Sequence, residues 1–135
     1  MDYSKLVRDE EGCELKMYKC TEGFHTIGWG FNLDANPIPQ EVADLLLKYS
    51  MEQSIKDAKR IFTNFDKLSE VRRSLLVNMS YQLGLNRLYG FKNFIAAVLA
   101  ENWQLAKKEM LDSKWAKQTP KRANRMASIM QRGEW

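Results

Sequence analysis

Glu11, Cys20 and Thr26 fall within a single stretch, EGCELKMYKCTEGFHT, with nine residues from the carboxylate to the thiol and six more to the hydroxyl. Thr21-Glu22-Gly23 reads as a turn between them, which lets the three side chains converge on one small volume. The stretch reads as a catalytic hairpin, with the rest of the chain holding it and lining a groove beside it. Glu11 stands just before Gly12, a natural helix stop, so it lies in a last helical turn at the negative end of the helix dipole. Asp9, Glu10 and Glu14 lie close by. Dipole and neighbours both favour the protonated carboxyl, the form a general acid must present.

The elements around this stretch follow from patterning. Asp2 can cap a first helix ending at Gly12, with Tyr3, Leu6 and Val7 as its apolar contacts. Glu14–Lys19 reads as a strand and Phe24–Phe31 as the strand returning to it. In that strand Phe24, Thr26 and Gly28 share one face, and His25, Ile27 and Trp29 the other. Gly28 and Gly30 imply a bend or a close backbone approach. Asn32 to Pro39 is a loop. Pro39 then opens a helical pattern to about Phe62, with Val42, Leu45, Leu46, Met51, Ile55, Ala58 and Phe62 on one side. Beyond it, Ser69 caps a helix that Gly84 closes, with Val71, Leu75, Leu76, Met79 and Leu83 as its core stripe. Helical segments near Phe91–Ala100 and Trp103–Asp112 follow, and Thr119-Pro120 starts a last helix to about Gln131. The pattern is α+β and mostly helical.

The 135 residues suffice for one domain with a real core. An apolar fraction of 44% and a charged fraction of 28% exclude bulk disorder. No apolar run approaches the roughly 20 residues of a membrane span, and MDYSKLVRDEEG has no apolar export core. Charge is uneven: residues 1–60 carry 8 Lys/Arg against 11 Asp/Glu, and residues 61–135 carry 13 against 6. A basic C-terminal half suits an anionic partner or a solvated face. One histidine and two cysteines make no zinc-ligand set. A Cys13–Cys20 disulfide is disfavoured in a reducing compartment.

Three ordered blocks then become specific. EGCELKMYKCTEGFHTIGWGFN, RRSLLVNMSYQLG with the following GFKNF, and SKWAKQTPKRANR ending in RGEW mark out the spans 11–32, 72–94 and 113–135, just over half the chain. Together they resemble the phage-type lysozymes, the muramidase family that includes the T-even phage enzymes. The resemblance implies a two-lobed fold: a small β-containing lobe over 12–38, a connecting helix over 39–62 and a helical lobe over 63–135. Helix 1–11 would lie near a cleft between the lobes. The whole chain would form one catalytic domain that hydrolyses the β-1,4 bond between N-acetylmuramic acid and N-acetylglucosamine in peptidoglycan, with no metal or organic cofactor.

Carried over by position, Glu11 resembles the general acid and Thr26 the residue that places the attacking water, its hydroxyl able both to donate and to accept. Arg122 resembles the arginine that pairs with the catalytic glutamate, a pairing that opposes the protonated form and leaves the net balance on Glu11 open. Tyr18, Phe31, Asn32, Tyr81, Gln82, Asn93 and Trp115 match cleft positions, or the plain packing around them. Cys20 departs from the aspartate of the T-even enzymes. A thiol near pKa 8.5 is only a few per cent thiolate at neutral pH, so a role in orienting water or lending partial negative charge is expected, shared with Thr26. The segment between Phe31 and Pro39 is shorter than in those enzymes, and Phe31 stands where they carry histidine.

The resemblance further implies a monomeric phage endolysin. It would accumulate in the host cytoplasm and reach the wall through a holin-type membrane lesion, without inserting stably in the membrane. Three rivals stand beside it. A Cys20–His25 hydrolase lacks an obvious Asp or Asn to orient the histidine. A nucleic-acid module on Lys117, Lys121, Arg122, Arg125 and Arg132 lacks a recognition signature, so no nucleic-acid partner is expected. A catalytically inactive peptidoglycan-binding protein would accommodate the missing carboxylate at Cys20.

Overall fold

Glycines set the layout of the N-terminal third. In the computed structural model, which describes residues 1–135, helix α1 (Ser4–Glu11) ends at Gly12, whose φ of 67° no longer continues the helix and whose N–H returns to the Arg8 carbonyl. Tyr3, rather than Asp2, is the N-cap residue; the Asp2 carboxylate accepts the Ser4 N–H at 2.9 Å and takes an ion pair from Arg8. Tyr3, Leu6 and Val7, expected as packing contacts, remain exposed.

Strands β1 (Glu14–Lys19), β2 (His25–Gly28) and β3 (Phe31–Asn32) form one antiparallel sheet in the order β1-β2-β3. The expected single return from Phe24 to Phe31 is therefore two strands. Gly28 and Gly30 both take positive φ, 68° and 79°, and reverse the chain around Trp29 so that Ile27 pairs with Phe31. The alternation of side chains continues through the sequence, but the backbone does not.

Helix α2 (Gln40–Ile61) comes close to its expected bounds, at 22 residues. Burial is confined to its second half: Ser54, Ala58 and Ile61 are buried, while Val42, Leu45, Leu46 and Ile55 from the expected stripe are exposed. The chain divides into two compact units, Met1–Leu46 and Leu47–Trp135, with the boundary inside this helix.

The second unit holds the hydrophobic core. A 3-10 turn (Phe65–Lys67) leads to α3 (Glu70–Leu83), α4 (Leu85–Tyr89), α5 (Lys92–Leu99), α6 (Trp103–Leu111), α7 (Lys114–Gln118) and α8 (Pro120–Arg132). Ser69 caps α3 by accepting the Arg72 N–H, and Gly84 closes it, as the sequence predicts. Leu75, Leu76, Met79 and Leu83 are buried together with Phe62, Phe94, Val98, Met110, Trp115 and Met130. Phe94 packs edge-to-face on both Phe62 and Phe91, with ring centres 6.0 and 6.5 Å apart. Helix α8 starts at Pro120, but the Thr119 hydroxyl leaves the helix start uncapped and donates instead to the Trp115 carbonyl at 3.0 Å. Arg72 ties the end of α8 down: its guanidinium donates to the carbonyls of Met130 and Gln131 at 2.8 and 2.9 Å and lies 4.0 Å from the centre of the Trp103 ring.

Candidate active site

Four of the singled-out residues share one face of the sheet. Tyr18 is paired across the strands with Thr26, and Thr26 in turn with Asn32, so the three side chains form a row. Cys20 stands two residues after Tyr18 and so points to the same side. Thr26 is 4% exposed, the most deeply buried residue of its unit. Its hydroxyl donates to the Phe24 carbonyl at 2.9 Å, which commits its one proton and leaves the oxygen able to accept.

The Cys20 backbone closes the turn: its N–H donates to the Phe24 carbonyl at 2.9 Å, and its carbonyl accepts the Gly23 N–H at 2.8 Å. The thiol is held below the usual thiol range, chiefly by the Phe24 N–H and then by that of Glu22. Burial and the Glu22 carboxylate oppose the shift. A tight turn thus does for the thiol what a cation does elsewhere: its backbone donors face the sulfur and favour its charged form. Cys13 and Cys20 are both free. Strand β1 separates them by about 20 Å at 3.3 Å per residue, beyond the roughly 7 Å that a disulfide can span.

Glu11 is the last residue of α1. Its carboxyl lies over Gly30 in the β2–β3 reversal: a methyl group built on Gly30 would stand 2.7 Å from Oε2 and 2.8 Å from Cδ. Gly30 was legible only as a close approach without a partner, and the partner is Glu11. Phe31, next to it, is 38% exposed.

His25 takes a partner that the sequence reading missed. Its backbone N–H donates to Asp34 Oδ2 at 2.7 Å, and its ring Nδ1 lies 3.1 Å from both oxygens of that carboxylate. These contacts hold the Asp34 carboxyl below the usual carboxylate range, the backbone N–H contributing most. An orienting carboxylate therefore exists, contrary to expectation. His25 nevertheless pairs with Lys19 on the sheet face opposite to Cys20 and Thr26, so no Cys–His dyad forms.

In the C-terminal unit, Tyr81 is half exposed and lines a groove of about 670 Å³ together with Asn78 and Arg122. The Arg122 guanidinium donates to Asn78 Oδ1, a partner one turn before Gln82 on α3 that the reading passed over although it lies inside the RRSLLVNMSYQLG block. Trp115 is 2% exposed and belongs to the core; its indole N–H donates to Gln82 Oε1 at 2.8 Å. Asn93 lines a smaller groove of about 240 Å³ with Phe91, Glu109 and Asp112. No three His, Cys, Asp or Glu side chains cluster as metal ligands would, and no helix is long and apolar enough to cross a membrane.

A carboxyl at a helix end, beside a small sheet that presents a hydroxyl and a thiol, fits acid-assisted hydrolysis in an α+β scaffold. The phage lysozyme family model matches residues 8–134, and the chain belongs to that family. Probable T4-type lysozyme 1 of Dictyostelium discoideum is 27% identical over 95% of this chain and 92% of its own length. The pre-baseplate central spike protein Gp5 of Enterobacteria phage T4 is 29% identical over 98% of this chain, a match that spans 28% of the spike protein.

Proposed function

We propose that the protein is a muramidase that cleaves the β-1,4 bond between N-acetylmuramic acid and N-acetylglucosamine in bacterial peptidoglycan, and that it serves as a phage endolysin in host lysis. The observation that carries this reading is the Glu11 carboxyl at the end of α1, seated over Gly30 in the sheet whose face bears Thr26 and Cys20. Family membership supports the reaction class.

In this mechanism Glu11 protonates the glycosidic oxygen as the bond to the sugar carbon breaks, leaving oxocarbenium character on the ring. Water enters from the other side, its oxygen bonds to the sugar carbon and its released proton passes to solvent. The Thr26 oxygen, fixed by its bond to the Phe24 carbonyl, accepts a hydrogen bond from this water and orients it. The Cys20 thiol, lowered by the turn, stands where a second carboxylate would act and lends partial negative charge. Tyr18, Phe31 and Asn32 extend the sugar-contacting face of the N-terminal unit. Within the C-terminal unit, Tyr81, Asn93 and Arg122 are the groups suited to sugar contact, and Trp115 holds Gln82. The protein acts as a monomer, accumulates in the host cytoplasm and reaches the wall through a lesion made by another protein. Its detection outside an intact inner membrane would contradict that route.

The test is clearing of purified peptidoglycan by the wild type and Glu11→Gln, with reducing ends counted. New muramic-acid reducing ends from the wild type alone are the expected result. Binding without new ends would point instead to an inactive wall-binding protein, the reading that the absent carboxylate at Cys20 favours. Equal clearing by both proteins would sink the role of Glu11.

A further inference from the structure

Gly30 takes a φ of 79°, and a side chain there would start 2.7 Å from Glu11 Oε2, 2.8 Å from Cδ and 3.1 Å from Cγ. Those separations lie well inside the roughly 3.5–4.0 Å at which non-bonded heavy atoms rest. Gly28, at the other end of the same reversal, also takes positive φ (68°), yet a side chain there would meet nothing within 4 Å. Gly12 and Gly23 are equally open. Backbone conformation alone accounts for glycine at those three positions. At Gly30 a second constraint is added, and it concerns one carboxyl group.

We propose that Gly30 is a positioning residue for the general acid: the bare backbone of the β2–β3 reversal is the seat on which the Glu11 carboxyl lies. This rests on the muramidase reading of Glu11. The Glu11 side chain is exposed and has three rotatable bonds, so it needs something to select its rotamer. No side-chain hydrogen bond or ion pair within the N-terminal unit holds it. The surface of Gly30 supplies shape in place of a polar partner, and the reversal that exposes this surface is fixed by the Ile27–Phe31 pair. A methyl group on Gly30 would turn the carboxyl aside rather than unfold the unit, because the clashing atoms are the free end of a flexible chain. Turnover then falls while sugar contacts elsewhere stay in place. A misplacement near 1 Å at a reacting group costs on the order of a hundredfold in rate.

The experiment uses the full chain as wild type, Gly30→Ala and Gly28→Ala, with turnover measured on solubilised peptidoglycan. In parallel, carbon NMR of δ-labelled glutamate reads the environment of the Glu11 carboxyl, its signal assigned by its disappearance in Glu11→Gln. Gly30→Ala is expected to lower kcat by about a hundredfold with KM within about twofold, and to shift the Glu11 signal. Gly28→Ala carries the same kind of backbone strain and is expected to leave that signal in place. Wild-type kcat in Gly30→Ala, or an unmoved Glu11 signal, overturns the proposal; so does an equal shift in Gly28→Ala. Should Gly30→Ala not fold, Glu11→Asp decides. Withdrawing the carboxyl by one methylene should lower kcat at unchanged KM, and retained kcat overturns the proposal. A wild type without turnover refutes the muramidase reading, while the NMR comparison still decides whether Gly30 seats Glu11.

Discussion

The indole N–H of Trp115 donates to Gln82 Oε1 at 2.8 Å, giving a ring that is 2% exposed a partner for its one polar atom. Gln82→Ala strands that donor in the core, at a cost of about 1–3 kcal/mol. Urea unfolding of Gln82→Ala, Trp115→Phe and the double variant measures the coupling. Once Trp115→Phe has removed the donor, adding Gln82→Ala should cost little. Additive losses would refute the bond's contribution.

Arg72 joins α3 to the end of α8 by two charged hydrogen bonds and a stacked ring. Arg72→Ala should cost about 2–3 kcal/mol, since bonds from charged groups are worth more than neutral ones and cation–π contact adds to them. Arg72→Lys should recover only a small part, because an ammonium cannot reach two carbonyls while lying flat on Trp103. Equal stability of the lysine variant and the wild type in thermal unfolding would contradict this geometry.

The lowered Cys20 thiol predicts thiolate reactivity at a pH below that of free cysteine, about 8.5. Iodoacetamide labelling followed by peptide mapping across pH 6–10 measures it at residue 20 directly. On activity, Cys20→Asp should retain turnover. If Cys20→Ala keeps most of it, the thiol has no essential base role and Thr26 suffices to place the water.

Asp34 gives a pH-dependent term in stability. Its carboxyl is held low in the folded chain by the His25 N–H and ring, so its contribution is complete above the unfolded value, about pH 4. The contribution is lost as pH falls through the depressed folded value. Asp34→Asn should therefore lower the melting temperature at pH 6, and the difference from the wild type should shrink as pH falls below about 4. A constant difference across that range would mean that charge on Asp34 does not matter.

Much of this was legible because single residues carried the signal. Ser69 and Gly84 mark the ends of α3 by the chemistry of orphan N–H and C=O groups, and the structure uses both. Glu11, Cys20 and Thr26 stand out by type and spacing, and the sheet register gives Cys20 and Thr26 a common face. The β2–β3 reversal is not legible as such because Gly28 and Gly30 signal a bend without its sharpness; the two positive φ values turn one expected strand into two. Helices α4 and α7, five residues each, are too short to show a helical period. Asp34 escaped notice because its contact with His25 spans nine residues and depends on where the third strand turns the chain.

The separation of the two thiols by the length of β1 has a consequence for handling and for oxidative stress. Neither cysteine can quench the other within one molecule, so disulfide chemistry in an oxidising medium has to join two copies, and the exposed Cys13 is the accessible end. Oxidation should thus read out as covalent dimers on a non-reducing gel, with Cys13→Ser abolishing most of them.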